Sequence, residues 1–218
     1  MRPAALLLAV AVVLAGGPAW AHHVGAYIPR DNEVSANFKQ IKFAIQARKF
    51  DVALRLFDGG ALRADMRAQA ARLPAGLEEA TGAALRASDG PRAERDLMIF
   101  FAALCRDLAL EADRRLADTA EPAAGRVAAA RKFIEAIWRY YNLVDFAVSQ
   151  YDPKAAVAAR LAFDEAEGYA QGGPAAKGGA PPGGATARSV AAPDPGKIRE
   201  PLRRMARTLS GLIEGFTP

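Results

Sequence analysis

The sequence predicts an all-α protein: a bundle of about five or six helices built from antiparallel helical hairpins, plus a tethered C-terminal amphipathic helix. Three observations predict it. Alanine, leucine and arginine dominate the composition and runs of β-branched residues are nearly absent, which favours helix. Apolar residues recur at three-four spacing over long stretches. No segment alternates apolar and polar residues in the manner of a half-buried strand.

The first stretch reads as an export leader. Arg2 supplies a positive start, Ala4 to Leu14 is an apolar run, and Gly16, Gly17 and Pro18 break it. Ala19-x-Ala21 is the small-residue pattern that a signal peptidase accepts. The run is far shorter than the ~20 residues a membrane span needs, and no Cys follows it to carry a lipid. Residues 1–21 are therefore expected to be a signal peptide, leaving a chain that starts at His22 in a periplasm or outside the cell.

Residues 22–170 are expected to form the helical bundle. Val34, Phe38, Ile41 and Ile45 fall on one face of a helix that begins after Pro29, with Asp31 or Asn32 as cap. "ARKFD" then reads as a tight turn or kink, and Val52 to Phe57 continue as helix until Gly59-Gly60 stops it. A further helix covers Ala61 to Arg72 before Pro74, and a short one Leu77 to Arg86, closed by "SDGP". Pro91 suits the first turn of the next helix, where its missing N–H is not needed. Leu97, Phe101, Leu104 and Leu108 carry that helix to about Ala117. Pro122 opens another, with Val127, Ile134, Ile137, Tyr141, Val144 and Val148 on one stripe. Asp152-Pro153 ends it and caps a helix from Lys154 to about Ala170.

Three junctions, "ARKFDVALRLF", "RASDGPRAERDL" and "SQYDPKAAVAARLAF", each place an Asp between two helices. They resemble the turn of tetratricopeptide-type helical hairpins. Asp51, Asp89 and Asp152 are unequally spaced, however, and do not keep the 34-residue period of such repeats, so independent Asp-capped hairpins are the expected arrangement.

Residues 171–196 are rich in Gly, Pro and Ala without apolar periodicity, the composition of a linker. Beyond it, residues 197–218 form an amphipathic helix. Ile198, Leu202, Met205, Leu209, Leu212, Ile213 and Phe216 make its stripe, and Lys197, Arg199, Arg203, Arg204 and Arg207 its flanks. Because proline is tolerated only in a helix's first turn, Pro201 places the start near Glu200. Leu202, Met205, Leu209, Leu212 and Phe216 are the candidate partner-binding residues. Such a stripe could seat on the bundle itself, on a protein partner or on an anionic membrane surface.

Chemistry is limited by histidine. The chain has two, His22 and His23, side by side where the leader ends. The freed amine, two imidazoles and the amide between them suit Cu(II) or Ni(II), with Zn(II) also possible. A mature N-terminal His resembles the copper brace of polysaccharide monooxygenases and of periplasmic copper carriers. The likeness covers His22 alone, and those families take a further His from within the fold. No His follows His23, so the resemblance implies a binding site and not oxidative chemistry. Di-iron Glu-x-x-His pairs, a C-x-x-C-H haem motif, H-E-x-x-H, G-x-S-x-G and a Gly-rich phosphate loop are all missing. Cys105, the single cysteine, has no partner for an internal disulfide and sits among Phe100, Phe101, Leu104 and Leu108 as a small apolar residue would.

The carboxylates Asp107, Glu111 and Asp118, and Asp164 with Glu165 and Glu167, lie near Arg106, Arg114, Arg115 and Arg160, where ordinary ion pairing explains them. Trp138, Tyr141 and Asp145, on "FIEAIWRYYNLVDFAV", are candidates to line a pocket. The net charge of +5 is a mild basic excess, spread among acids without an aromatic-interleaved patch, so no nucleic acid is expected. The leading expectation is a periplasmic, non-catalytic binding or accessory module with a protein partner in the cell envelope. The alternative is a metal-binding accessory using His22 and His23, and a distant third is an enzyme using the aromatic-Asp pocket.

Overall fold

A computed structural model of the protein describes residues 31–172 and 193–215. These are all-helical: α1 (Glu33–Gln46), α2 (Phe50–Asp58), α3 (Ala61–Ala68), α4 (Leu77–Arg86), α5 (Gly90–Ala117), α6 (Ala123–Tyr151), α7 (Pro153–Ala170) and α8 (Pro195–Glu214), with a short 3-10 turn at Ala70–Arg72. Ahead of α8 the described residues form seven α-helices where five or six are expected, because the kink expected at "ARKFD" and the stop expected at Gly59-Gly60 are full breaks that leave α1, α2 and α3 as separate helices. Arg48 adopts a left-handed φ of 57° that ends α1, and Gly59-Gly60 separates α2 from α3.

Helix starts follow local capping. The Asn32 side chain accepts the Ser35 N–H while the Ser35 hydroxyl accepts the Asn32 N–H, a reciprocal cap that satisfies two donors at the start of α1. Asp89, Asp152 and Asp194 cap α5, α7 and α8, each followed by proline in the first turn. This corrects the expected start of the last helix. Asp194 and Pro195 begin it, and Pro201 lies inside it. The proline ring is buried against the core, and the Lys197 carbonyl that loses its donor belongs to a solvent-exposed residue that water can reach.

Helix stops at two junctions share one geometry. Lys49 N–H donates to the Ala44 carbonyl and Arg48 N–H to the Ile45 carbonyl; Asp89 N–H and Ser88 N–H do the same to Ala84 and Leu85. Both turns need a left-handed residue where glycine is preferred, yet Arg48 and Ser88 (φ 58°) occupy it. Arg48→Gly and Ser88→Gly are each expected to stabilise the fold by about 1 kcal/mol, raising Tm by about 2–4 °C in a calorimetric scan. A lowered Tm for both would show that these turns are not strained.

α5 is the central element and packs against α4, α6 and α8, while α7 closes on α6 and α8; α1, α2 and α3 pack among themselves at the N-terminal end of α5. The core is continuous from Phe38 to Ile213. Phe38, Phe100, Phe101 and Tyr140 form an aromatic chain across it, with Phe38 edge-on to Phe101 at 4.7 Å. Cys105 is fully buried, its Sγ 3.6 Å from the Ile137 carbonyl, and burial pushes its thiol far above the usual range, so it carries no thiolate.

Candidate functional site

α6 turns one stripe inward: Val127, Ala130, Ile134, Ile137, Tyr141, Val144 and Val148 are all buried. Phe146 falls between the last two of these, on the opposite side of the helix, and is 71 % exposed. Phe43 on α1 and Tyr151 at the end of α6 are likewise open, at 72 % and 53 %. Single exposed apolar side chains are ordinary on a protein surface, and a use is marked only where several border one concave surface.

Phe146 and Tyr151 stand on the wall of a groove. Its floor and sides come from α1 (Lys42, Gln46), α5 (Pro91, Glu94, Arg95, Met98) and α6 (Ala147, Gln150), enclosing about 330 Å³. A second lobe of about 410 Å³ adjoins it through Gln46, Pro91 and Glu94, bounded by Ile45, Arg48, Phe50, Ser88 and Gly90. Gly90 lets the start of α5 approach α1 and α2 closely here: a Cβ at this position would lie 3.2 Å from Ile45 Cγ2 and 3.4 Å from Phe50 Cζ. The groove therefore runs over the N-terminal turns of α5, between the C-terminal halves of α1 and α6.

The residues singled out in the sequence lie elsewhere. Trp138 stacks on Phe163 with ring centroids 5.1 Å apart. Tyr141 is buried, and its hydroxyl donates to the Ala156 carbonyl at 3.4 Å. Asp145 takes a two-pronged ion pair from Arg160, with Nε at 2.6 Å from Oδ1. These three side chains fasten α6 to α7 and none lines the groove. The physical reason is that an aromatic helix face is the cheapest surface to bury, and Asp145 finds a guanidinium across the seam.

Leu202, Met205, Leu209 and Leu212 are buried, and α8 packs against α5 and α7. Their apolar faces are covered by the chain's own helices and offer no free surface for a partner. Phe216, His22 and His23 lie outside the described residues. The flanking arginines of α8 are also engaged: Arg199 and Arg203 both reach Asp113 on α5, and Arg204 pairs with Glu165 on α7. Asp113 escaped the sequence reading because nothing local distinguishes it from other helix-surface acids.

Of the other carboxylates singled out in the sequence, several are paired or buried. Arg114 and Arg115 hold Glu111 down at about 2, and Asp107 pairs with Arg106. Burial raises the carboxyl of Asp164, whose Oδ1 has no hydrogen-bond partner among the described residues. Asp96 on α5 is 1 % exposed, and its Oδ2 also lacks a partner among the described residues. Burial raises its carboxyl; Arg95 and Arg92 oppose the shift and Asp89 adds to it. Between the ordinary value of 3.8 and the raised one, the folded chain holds a proton that the unfolded chain releases. Stability therefore falls as pH rises through that window. Asp96→Asn is expected to raise Tm at neutral pH and flatten that fall; a lowered neutral-pH Tm would show that the ionised form is the better paired one.

Among the described residues, no three His, Cys, Asp or Glu side chains are grouped to hold a metal, and no helix is long and apolar enough to cross a membrane. No protein-family model, curated protein or solved structure matches the chain.

Proposed function

We propose that the protein is a non-catalytic binding module of the cell envelope that receives a protein partner in the α1/α5/α6 groove. The observation that supports this reading is the placement of Phe146 and Tyr151 on the wall of an apolar groove, while the core beneath is already filled. Aromatic rings that project from a rigid scaffold beside a groove bury large areas at small cost in side-chain freedom. The leader at residues 1–21 is read as delivering the chain to the periplasm or outside the cell. In this reading α4–α5 and α6–α7 are antiparallel hairpins whose Asp-capped turns hold the groove open.

The expected result of Phe146→Asp follows from its exposure. Thermal stability changes by no more than about 0.5 kcal/mol, as for other surface substitutions, while partner affinity falls at least about tenfold, or roughly 1.4 kcal/mol. The measurement is photocrosslinking from a benzoylphenylalanine at Gln150 in the full chain, expressed with its leader in its own host. One adduct of defined mass, lost with Phe146→Asp, supports the reading. A chain that forms no Phe146-dependent adduct ends it, and N-terminal sequencing that finds the leader intact ends the exported part of it.

A further inference from the structure

We propose that the occupant of the groove is an acidic amphipathic helix, with apolar anchors in the two lobes and carboxylates against the rim. This rests on the reading of the groove as a docking site and adds the chemistry of the partner. Two lobes of about 330 and 410 Å³ have room for a few large side chains, not for a whole helix. That is the demand of a helix lying across the groove and inserting residues from one face at i, i+3/i+4 and i+7.

Charge selects among such helices. The groove residues include the cations Lys42 and Arg48 against the single carboxylate Glu94, while Arg95 is already paired with Asp96 at 3.5 Å. Among the described residues no ion pair neutralises Lys42 or Arg48, and Lys42 rests over the Phe38 ring at 5.9 Å. Cations beside a low-dielectric apolar surface favour an anionic partner and disfavour a basic one. The chain's own residues between His22 and Arg30 contain no Asp or Glu, so they lack the charge this rim asks for. The other exposed large apolar residues of the described chain are Val157 and Leu161 on α7, with Lys154 one turn before the first, and Leu110 on α5, whose neighbours Asp107 and Glu111 are already paired with Arg106 and with Arg114 and Arg115, which also disfavours a second copy as occupant.

The test uses the full-length mature chain and two dye-labelled model helices of about 16 residues, each with the same leucine face and flanked by Glu or by Lys. Fluorescence anisotropy is read at about 0.05 M and about 0.5 M salt. The Glu-flanked helix should bind at least about tenfold tighter at low salt, with the advantage shrinking at high salt. Phe146→Ser should abolish binding of both, and Lys42→Glu with Arg48→Glu should invert the preference. Equal affinities, or a better Lys-flanked helix still lost with Phe146→Ser, would overturn the acidic partner and leave the groove as a docking site. Absence of binding by both helices would overturn the acidic partner, and if the Gln150 adduct is also insensitive to Phe146 the docking site falls with it. Concentration-dependent dimerisation that Phe146→Ser removes would name a second copy instead and overturn the proposal.

Discussion

Deleting residues 193–218 is expected to leave a chain that no longer unfolds in one cooperative transition. α8 buries Ile198, Leu202, Met205, Leu209, Leu212 and Ile213. At about 1.5–3 kcal/mol for each fully buried large side chain, their joint contribution is comparable with the whole ~5–15 kcal/mol stability of a typical domain. The deletion also strands Asp113, which sits between Arg199 and Arg203 at 2.7 and 3.0 Å. It uncovers elements rich in small buried residues as well: Ala109 and Ala112 on α5, and Ala159, Ala162 and Ala166 on α7. Those alanines leave space that only the large side chains of a neighbouring helix can fill.

A gentler version reads the same physics quantitatively. Leu209 is fully buried, so Leu209→Ala should cost about 2–5 kcal/mol and lower Tm by on the order of 10 °C. Both variants are followed by far-UV circular dichroism. A truncated chain that melts sharply at the parent temperature would mean that α8 is an appendage and not part of the core.

The second large effect is expected at Asn37. Its Nδ2 donates to the Leu56 carbonyl and its Oδ1 accepts the Leu62 N–H, both at 3.0 Å. One side chain on α1 thus serves the last turn of α2 and the first turn of α3, across the Gly59-Gly60 corner. Asn37→Ala leaves a nearly buried donor and a nearly buried acceptor unpaired, at about 1–3 kcal/mol each. Gly60→Ala attacks the same corner from the other side. Its φ of −96° suits alanine, but the added Cβ would lie 2.1 Å from Asn37 Oδ1 and 2.3 Å from the Leu56 carbonyl oxygen. Relieving that overlap moves the helices apart and should cost about 1–3 kcal/mol. Because both changes strike one contact, the double variant should be less destabilised than the sum of the singles. Chemical denaturation of the four proteins measures this coupling; strict additivity would show that Asn37 and Gly60 act independently.

Much of the helix plan was open to sequence reasoning. α4 lies at Leu77–Arg86 as its spacing predicts, and Asn32, Asp89 and Asp152 cap the helices they precede. These features are local: a capping oxygen and its amide are three residues apart, and an apolar stripe repeats within two turns. Pro201 misled the reading because a residue-level rule about proline gave way to stronger start signals at Asp194 and Pro195. The turn at "ARKFD" was legible but its form was not, since nothing in the letters at Arg48 announces a left-handed backbone.

The groove was beyond reach for a different reason. Lys42, Glu94, Phe146 and Gln150 are far apart in the chain, and no local pattern says which helix will leave room beside which. Phe146 does stand off the buried stripe of α6, and that signal was available, but an off-stripe aromatic becomes meaningful only when neighbouring helices are seen not to cover it.

By itself the sequence determined the all-helical class, most of the caps and the absence of histidine beyond His23, because each is a matter of composition or of neighbours within a few residues. The tertiary structure decided which apolar stripes were used up in the core, turning α8 inward, and which aromatics stayed outside at Phe43, Phe146 and Tyr151. Burial is a competition among surfaces contributed by the whole chain, and only the packed arrangement shows which of them is left uncovered.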